Sequence, residues 1–376
     1  MENNCAARTA VIIPAYKPDD RLPPYVEALE KAGVGKIVIV DDGSGDAFTP
    51  LFAQLPEDGV CHVIRYQPNG GKGVALKRGM AYVQESCPGQ DIIITADSDG
   101  QHTVTDVLRM AESLAENSEG LLLGSRDFSQ EDVPPKSRMG NRITSVVFKL
   151  LYGCWVGDTQ TGLRGFAREL LPTMIAVKGD RYEYEMNVLI ECAALKLPMR
   201  PLSIETVYEN NNEGSHFRAF RDSARIYGVI FGGFFRFIGS SLASFLIDYG
   251  LYLLFNNVLK AWAPALEHEF RFLFISVLTR ILVATILARV LSGVANFLLN
   301  RQFVFGDKGS MGRSFPRYLA VWLMNMLLSA GLTSSLHLWL GWSDNIAKVP
   351  VDILLFFLSY HLQRRWVFSK KAAPER

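Results

Sequence analysis

The chain has 376 residues, with 39 Lys+Arg against 38 Asp+Glu and a net charge of +1. This length holds two or three domains with sizeable cores, and the charge balance excludes a general nucleic-acid binder, which carries a basic excess. Aromatic residues at 11% and charged residues at only 20% exclude disorder; the mean hydropathy of +0.12 is high for a soluble protein and is unevenly spread.

The opening residues, MENNCAARTA, are too polar for a signal peptide. Five cysteines (Cys5, Cys61, Cys87, Cys154 and Cys192) include no C-x-x-C pair, which reads as reduced thiols in a cytosolic domain. Short β-rich runs follow at Ala10–Pro14, Lys36–Val40, Val60–Arg65, Asp91–Thr95 and Leu121–Gly124. Between them Leu22–Ala32, Val74–Ser86 and Thr105–Asn117 have helical periodicity. The alternation predicts a mostly parallel α/β sheet, with its ligand beyond the carboxyl ends of the strands. Three strands end in Pro14-Ala15-Tyr16, Asp41-Asp42-Gly43-Ser44 and Asp97-Ser98-Asp99-Gly100-Gln101-His102. Ile143–Tyr152 is apolar with one lysine, and suits either a helix lying on a membrane face or a core helix.

The second half is a different material. Phe237–Leu259 contains one charge, Asp248, and Tyr318–Ser343 contains none. Each is long enough to cross a hydrocarbon core of about 30 Å as a helix. Phe272–Asn300 carries Arg280 and Arg289, and Val349–Gln363 carries Asp352. Four such segments in tandem predict an all-α domain of four transmembrane helices over residues 229–376, after a soluble domain over residues 1–228. Lys and Arg gather before the first span, between spans two and three, and after the fourth, so the positive-inside rule puts the soluble domain and both termini in the cytoplasm. Asp248, Arg280, Arg289 and Asp352 are expensive in lipid unless paired or facing a cavity; they read either as bundle glue or as a transport path. Asn300-Arg-Gln-Phe-Val-Phe305 and Gln363-Arg-Arg-Trp-Val-Phe368 end spans two and four, while Arg236-Phe-Ile-Gly and Arg317-Tyr-Leu-Ala open spans one and three. This duplicated hairpin closely resembles the GtrA-like family of four-helix membrane domains, over roughly residues 234–370.

Two familiar nucleotide motifs fail in the soluble half. Gly43-Ser-Gly45 meets Phe48 where the dinucleotide fingerprint needs glycine, and Gly71-Lys72 is followed by Gly73, where a P-loop needs Ser or Thr. Asp97-Ser98-Asp99 is the central signal: two carboxylates on a strand-ending loop, with Gln101 adding a neutral oxygen, suit Mg²⁺ or Mn²⁺. That cation would neutralise a diphosphate leaving group. VIIPAY, IVDDGS, NGGKGVALKRG, ADSDGQH, GSR, DTQTGLRGF and EGSHFR then occur in the order seen in family 2 glycosyltransferases of the GT-A fold. Over roughly residues 8–225 the chain resembles their dolichyl- or polyprenyl-phosphate hexosyltransferase branch. The resemblance implies that Pro14, Tyr16 and Asp42 contact base and ribose. It implies further that Asp97, Asp99 and Gln101, with Ser98 between them, hold metal and diphosphate, and that Arg126, Arg138 and Arg218 address phosphates. Such enzymes often have Asn-Glu after the tyrosine, where this chain has Lys17-Pro18.

Other positions keep two readings each. Lys72 either touches sugar or phosphate or is a solvated turn lysine; Asp158 either caps a loop facing the acceptor or caps a helix. Glu183 and Glu185 suit sugar hydroxyls, and His102 and His216 read as polar loop residues. Membrane-facing helices are expected near residues 135–155 and 216–233. The resemblance implies a metal-dependent inverting enzyme that moves a hexose from a UDP-glucose or GDP-mannose type donor to a polyprenyl phosphate, in the inner membrane. Its expected partners are the nucleotide sugar, the polyprenyl phosphate, the bilayer, and a flippase or downstream glycosyltransferase. Transfer to another lipid or glycan, or flipping of a lipid-linked sugar, are the rival readings.

Overall fold

The computed structural model describes residues 5–56, 59–126, 135–205, 219–272, 275–307 and 309–368. Two compact units divide the chain, Met1–Ile230 and Phe231–Arg376.

The first unit alternates strand and helix: β1 (Thr9–Ala15), α1 (Leu22–Lys31), β2 (Lys36–Asp42), α2 (Thr49–Phe52), β3 (Cys61–Tyr66), α3 (Lys72–Ser86), β4 (Ile92–Thr95), α4 (Val104–Glu116) and β5 (Leu121–Arg126). After these come α5 (Pro135–Tyr152), β6 (Arg164–Ala167), α6 (Leu171–Ala176), α7 (Glu183–Leu195) and β7 (Met199–Ile204). The sheet order is β3-β2-β1-β4-β6-β5-β7. β6 runs antiparallel to both β4 and β5, and the other pairings are parallel. β1, β2 and β4 are runs of Val and Ile buried along nearly their whole length, as strands covered on both faces must be. Leu22, Val26 and Leu29 of α1 join Val107, Met110 and Leu114 of α4 against Val11, Ile13, Ile39 and Ile94. β1 stands between β2 and β4, so the chain reverses its direction of winding there and opens a crevice at the carboxyl ends.

The expected parallel α/β sheet is present. The antiparallel β6 was not expected: its four residues include Arg164 and Gly165 and show no apolar alternation. A Cβ on Gly165 would stand 2.7 Å from the Leu114 side chain, so helix packing rather than strand propensity selects that residue.

The second unit begins within α8 (Ala219–Trp262) and continues through a hairpin of β8 (Glu269–Phe272) and β9 (Ile275–Leu278). Then come α9 (Thr279–Leu299), α10 (Met311–Leu340) and α11 (Asp344–Leu362). The hairpin corrects the expected second span: Glu269–Phe272 and Ile275–Leu278 pair as antiparallel strands, so the helix begins at Thr279. Among the described residues, three segments, Ala224–Trp262, Thr279–Val304 and Met311–Leu340, are long and apolar enough to cross a membrane. The expected fourth, α11, is a 19-residue helix carrying Lys348 and Asp352.

The repeated motifs mark matching structure. Asn300 and Gln363 each begin a π-helical turn, Asn300–Val304 and Gln363–Val367. The Asn300 amide donates to Gln363 Oε1 at 2.9 Å, Ser240 Oγ donates to Asn300 Oδ1 at 2.6 Å, and Gln363 Nε2 donates to Ser359 Oγ at 3.1 Å. The internal charges are paired as well. Arg289 faces Asp248 at 3.5 Å, Ser292 donates to Asp248 at 2.8 Å, and Lys348 meets Asp352 at 2.6 Å. Arg280 lies in the first turn of α9 and pairs with Glu267 at 2.8 Å. Asn300→Leu removes both links to Ser240 and Gln363, and is expected to cost about 1–3 kcal/mol for the buried partners left unmatched. The check is a lowered unfolding temperature of the full-length protein in detergent.

Candidate active site

The carboxyl ends of β1, β2, β4 and β5 point to one edge of the sheet and carry the chemistry. Beyond β4, Asp97 is held by Lys72 from the start of α3, with Nζ 2.7 Å from Asp97 Oδ1 and 2.9 Å from Glu185 Oε1. His102 Nε2 lies 3.4 Å from the other Asp97 oxygen. Burial works against charge on both Lys72 and Asp97. Their mutual attraction wins: the Lys72 pKa is raised by Asp97 and Glu185, and the Asp97 pKa is lowered by Lys72 and His102. Asp99 goes the other way, its pKa raised by burial and by the Asp97 charge. It accepts from the Gln101 N–H of its own loop at 3.1 Å. Two neighbouring carboxyls are thus pushed apart in acidity.

Close backbone approach makes this possible. A Cβ on Gly71 would stand 2.6 Å from the Asp180 carbonyl oxygen, and one on Gly73 would stand 2.6 Å from Tyr184 Cβ. Their absence lets Lys72 reach Glu185 on α7. On the far side a Cβ on Gly162 would lie 2.2 Å from Asp97 Oδ2. Beyond β5, Arg126 is gripped by Asp158, with Nε at 2.7 Å from Oδ2 and Nη2 at 3.1 Å from Oδ1. Asp158 is fully buried, and such a bidentate pair fixes the guanidinium plane.

The description "Glycosyl transferase family 2" fits residues 10–174, and "GtrA/DPMS, transmembrane domain" fits residues 265–368. An uncharacterized protein of Methanocaldococcus jannaschii is 30% identical over 203 residues, spanning 53% of this chain and 81% of that protein. This chain belongs to glycosyl transferase family 2, and it carries a GtrA/DPMS transmembrane domain. The UDP-N-acetylglucosamine–dolichyl-phosphate N-acetylglucosaminyltransferase of Methanococcus voltae is 29% identical over 215 residues, covering 53% of this chain and 85% of the relative. The dolichyl-phosphate beta-glucosyltransferase of Drosophila melanogaster is 24% identical over 227 residues, covering 54% and 68%.

The expected site residues of this family 2 enzyme fall into groups. Asp97, Ser98, Asp99 and Gln101 share one loop with Lys72 against it. Lys72 is no solvated turn residue, being only 17% exposed. The Asp42 carboxylate accepts from Tyr66 Oη at 2.5 Å, from Asn69 Nδ2 at 2.9 Å, and from the N–H groups of Gly70 at 2.7 Å and Gly71 at 2.8 Å, and so anchors the glycine loop. Pro14 is buried within β1 and Tyr16 follows it, half-buried. Lys17 adopts φ 50°, a left-handed conformation in which Asn is enriched, and its N–H donates to Ser44 Oγ at 2.8 Å. Asp158 caps its own loop, Oδ1 accepting from the Gln160 N–H at 3.1 Å, while Arg126 holds the same carboxylate. Glu183 accepts from the Asp180 and Arg181 N–H groups ahead of α7. Arg138 is exposed near the start of α5. Arg218, His216 and the rest of EGSHFR lie outside the described residues.

Residues without a sequence signal also reach the site. Tyr25 of α1 looks like an ordinary core position, yet its buried hydroxyl has no partner among the described residues. Its pKa is raised by burial and by the Asp97 and Asp99 charges. Gly162 is equally silent in the sequence. Gly162→Ala is expected to displace Asp97, costing about 1–3 kcal/mol as an overpacked site and most of the transferase activity. A thermal melt and an assay on the same preparation check both parts.

Proposed function

We propose that this family 2 enzyme transfers a hexose from a nucleoside-diphosphate sugar to a polyprenyl monophosphate, inverting the anomeric carbon and yielding a lipid-phosphate sugar for envelope glycan synthesis. One observation carries the reading: a carboxylate loop after β4 and a clamped arginine after β5 share one edge of the sheet. β6 separates those strands, so their ends stand about 10 Å apart by ordinary strand spacing. That spacing gives two anions separate partners in one crevice. Relatives named for transfer of N-acetylglucosamine and glucose to dolichyl phosphate support the acceptor class and favour a UDP-hexose.

The donor set fits a divalent cation of the Mg²⁺ type, which uses one or two protein carboxylates and completes its shell with phosphate and water. Among the described residues no cluster of three His, Cys, Asp or Glu would form an all-protein cage. Asp99 and Asp97, with Gln101, would hold Mg²⁺ or Mn²⁺, whose charge would neutralise the departing diphosphate. Lys72 keeps Asp97 ionised and in place. The acceptor phosphate has a second pKa of about 6, by analogy with phosphoserine, so it needs no general base. Its oxygen bonds to the anomeric carbon while the bond from that carbon to the diphosphate oxygen breaks, and the nucleoside diphosphate leaves with the electron pair. Arg126 and Arg138, with Arg218, serve the acceptor phosphate, since a guanidinium binds two oxygens and stays charged.

The acceptor is a lipid, and α5 suits it. Met139, Ile143, Val146 and Leu150 form one exposed apolar stripe at helical spacing, with Trp155 just beyond. The opposite face buries Asn141, Phe148 and Tyr152. This stripe faces the cytoplasmic leaflet in the proposed enzyme.

Three outcomes are expected. Asp99→Asn lowers turnover by about 10²-fold or more, on the scale of lost electrostatic contacts to a developing charge. In the native enzyme a cation competes with the proton that Asp99 retains to higher pH than an ordinary carboxyl. Mn²⁺-supported donor binding therefore weakens as pH falls toward that raised pKa, and calorimetry shows the slope vanish in Asp99→Asn. Replacing Ile143 and Leu150 together by Glu is expected to raise the KM for long-chain polyprenyl phosphate in bilayers and leave donor affinity unchanged. An unaltered acceptor KM would remove α5 from the membrane surface.

A further inference from the structure

The loop that carries Asp97 and Asp99 rests on the start of α1. Tyr25 lies there, its N–H donating to the Arg21 carbonyl at 3.2 Å. Arg21 in turn lies against the loop, since a Cβ on Gly100 would stand 3.6 Å from Arg21 Cβ. Tyr25 belongs to the core cluster that also holds Ala96, the residue before Asp97, and Val107 of α4. Its side chain is buried and its hydroxyl is enclosed, without a hydrogen-bond partner among the described residues. A phenylalanine would fill the same place without the cost of an enclosed, unmatched hydroxyl. The hydroxyl calls for an acceptor that reaches it in another state of the site.

Three carboxylates act on this hydroxyl. Burial first, then the charges of Asp97, Asp99 and Asp106, raise its pKa, so at neutral pH it keeps its proton and is a donor. Two of the three are already engaged. Asp97 has Lys72 at 2.7 Å from one oxygen and His102 at 3.4 Å from the other. Asp106 Oδ2 accepts from Thr103 Oγ1 at 2.8 Å and from the Glu205 N–H at 3.2 Å, while Oδ1 accepts from Arg109 at 3.1 Å. Asp99 accepts from the Gln101 N–H on Oδ1. Burial and the Asp97 charge raise the Asp99 pKa, so its ionised form is short of donors.

We propose that Tyr25 is a positioning residue for Asp99: when the loop takes up a divalent cation, the Asp99 carboxylate accepts a hydrogen bond from Tyr25 Oη and turns its remaining electron pairs to the cation. The inference rests on the cation site of the proposed function. A hydroxyl donating to an ionised carboxylate makes a charge-assisted bond, stronger than one between neutral groups. It fixes the carboxylate from the protein side and leaves the crevice side to the metal. One substitution therefore acts with opposite signs on two quantities. Tyr25→Phe spares the metal-free protein an unmatched hydroxyl, and it deprives the metal-loaded protein of a hydrogen bond.

The test compares full-length wild-type protein and Tyr25→Phe in detergent by two measurements. Thermal melts in EDTA report the metal-free state. Calorimetric titration with Mn²⁺, run alone and with UDP or GDP in the cell, reports the cation. Tyr25→Phe is expected to bind Mn²⁺ about tenfold more weakly, the scale of one hydrogen bond to a charged group, while its melting temperature in EDTA is unchanged or raised. A merely structural tyrosine does not move the two readings apart in this way. Equal Mn²⁺ affinity in the two proteins overturns the proposal and leaves the cation site standing. A melting temperature in EDTA that falls on substitution also overturns it, because the hydroxyl is then satisfied before any cation arrives. Wild-type protein that takes up no Mn²⁺ in any run removes the cation site and this inference together.

Discussion

An ammonium shared by two carboxylates organises the first unit. Lys72 lies between Asp97 and Glu185, which come from β4's terminal loop and from α7. Neither anion would sit there uncompensated, because a desolvated charge without a partner costs several kcal/mol. Most of the nearby architecture follows from bringing that ammonium into place. Gly71 and Gly73 give up their side chains so that the loop can lie against Asp180 and Tyr184. Asp42 spends its carboxylate on holding the same loop, and Gly162 leaves room for Asp97 on the opposite side.

From this arrangement comes a division of labour between two adjacent carboxyls. Asp97 is the fixed charge, already neutralised within the protein. Asp99 is the adaptable one, whose raised pKa records an unfavourable charge that a cation would relieve. A second fixed charge pair stands after β5, where Asp158 holds the Arg126 guanidinium in a bidentate grip. Preorganised groups of this kind help a reaction whose partners are both anions, since the electrostatic cost of bringing them together is met in advance.

In the membrane unit the problem is inverted, because lipid rewards no polar group. Here the charges meet across helices or within one, as in Asp248 with Arg289 and Ser292, and Lys348 with Asp352. The amides of Asn300 and Gln363 join the repeats directly. The duplicated hairpin thus answers one burial problem twice, with different side chains at matched positions.

Much was legible in the sequence because it depends on local pattern. The Val and Ile runs of β1, β2 and β4, the helical periods of α1, α3 and α4, and the long apolar segments of α8, α9 and α10 each bury a face that its own spacing declares. The Asp97–Asp99 loop was equally visible, since two carboxylates at a strand end are close along the chain. What stayed hidden was contact between distant segments. Tertiary structure alone decided that Lys72 bridges Asp97 and Glu185, that Asp158 clamps Arg126, that Asp42 anchors a loop, and that β6 enters the sheet antiparallel. Periodicity reports which face of an element is buried and carries nothing about which distant side chain will meet it. That is settled only when the packed backbone fixes both ends of each pair within hydrogen-bond reach.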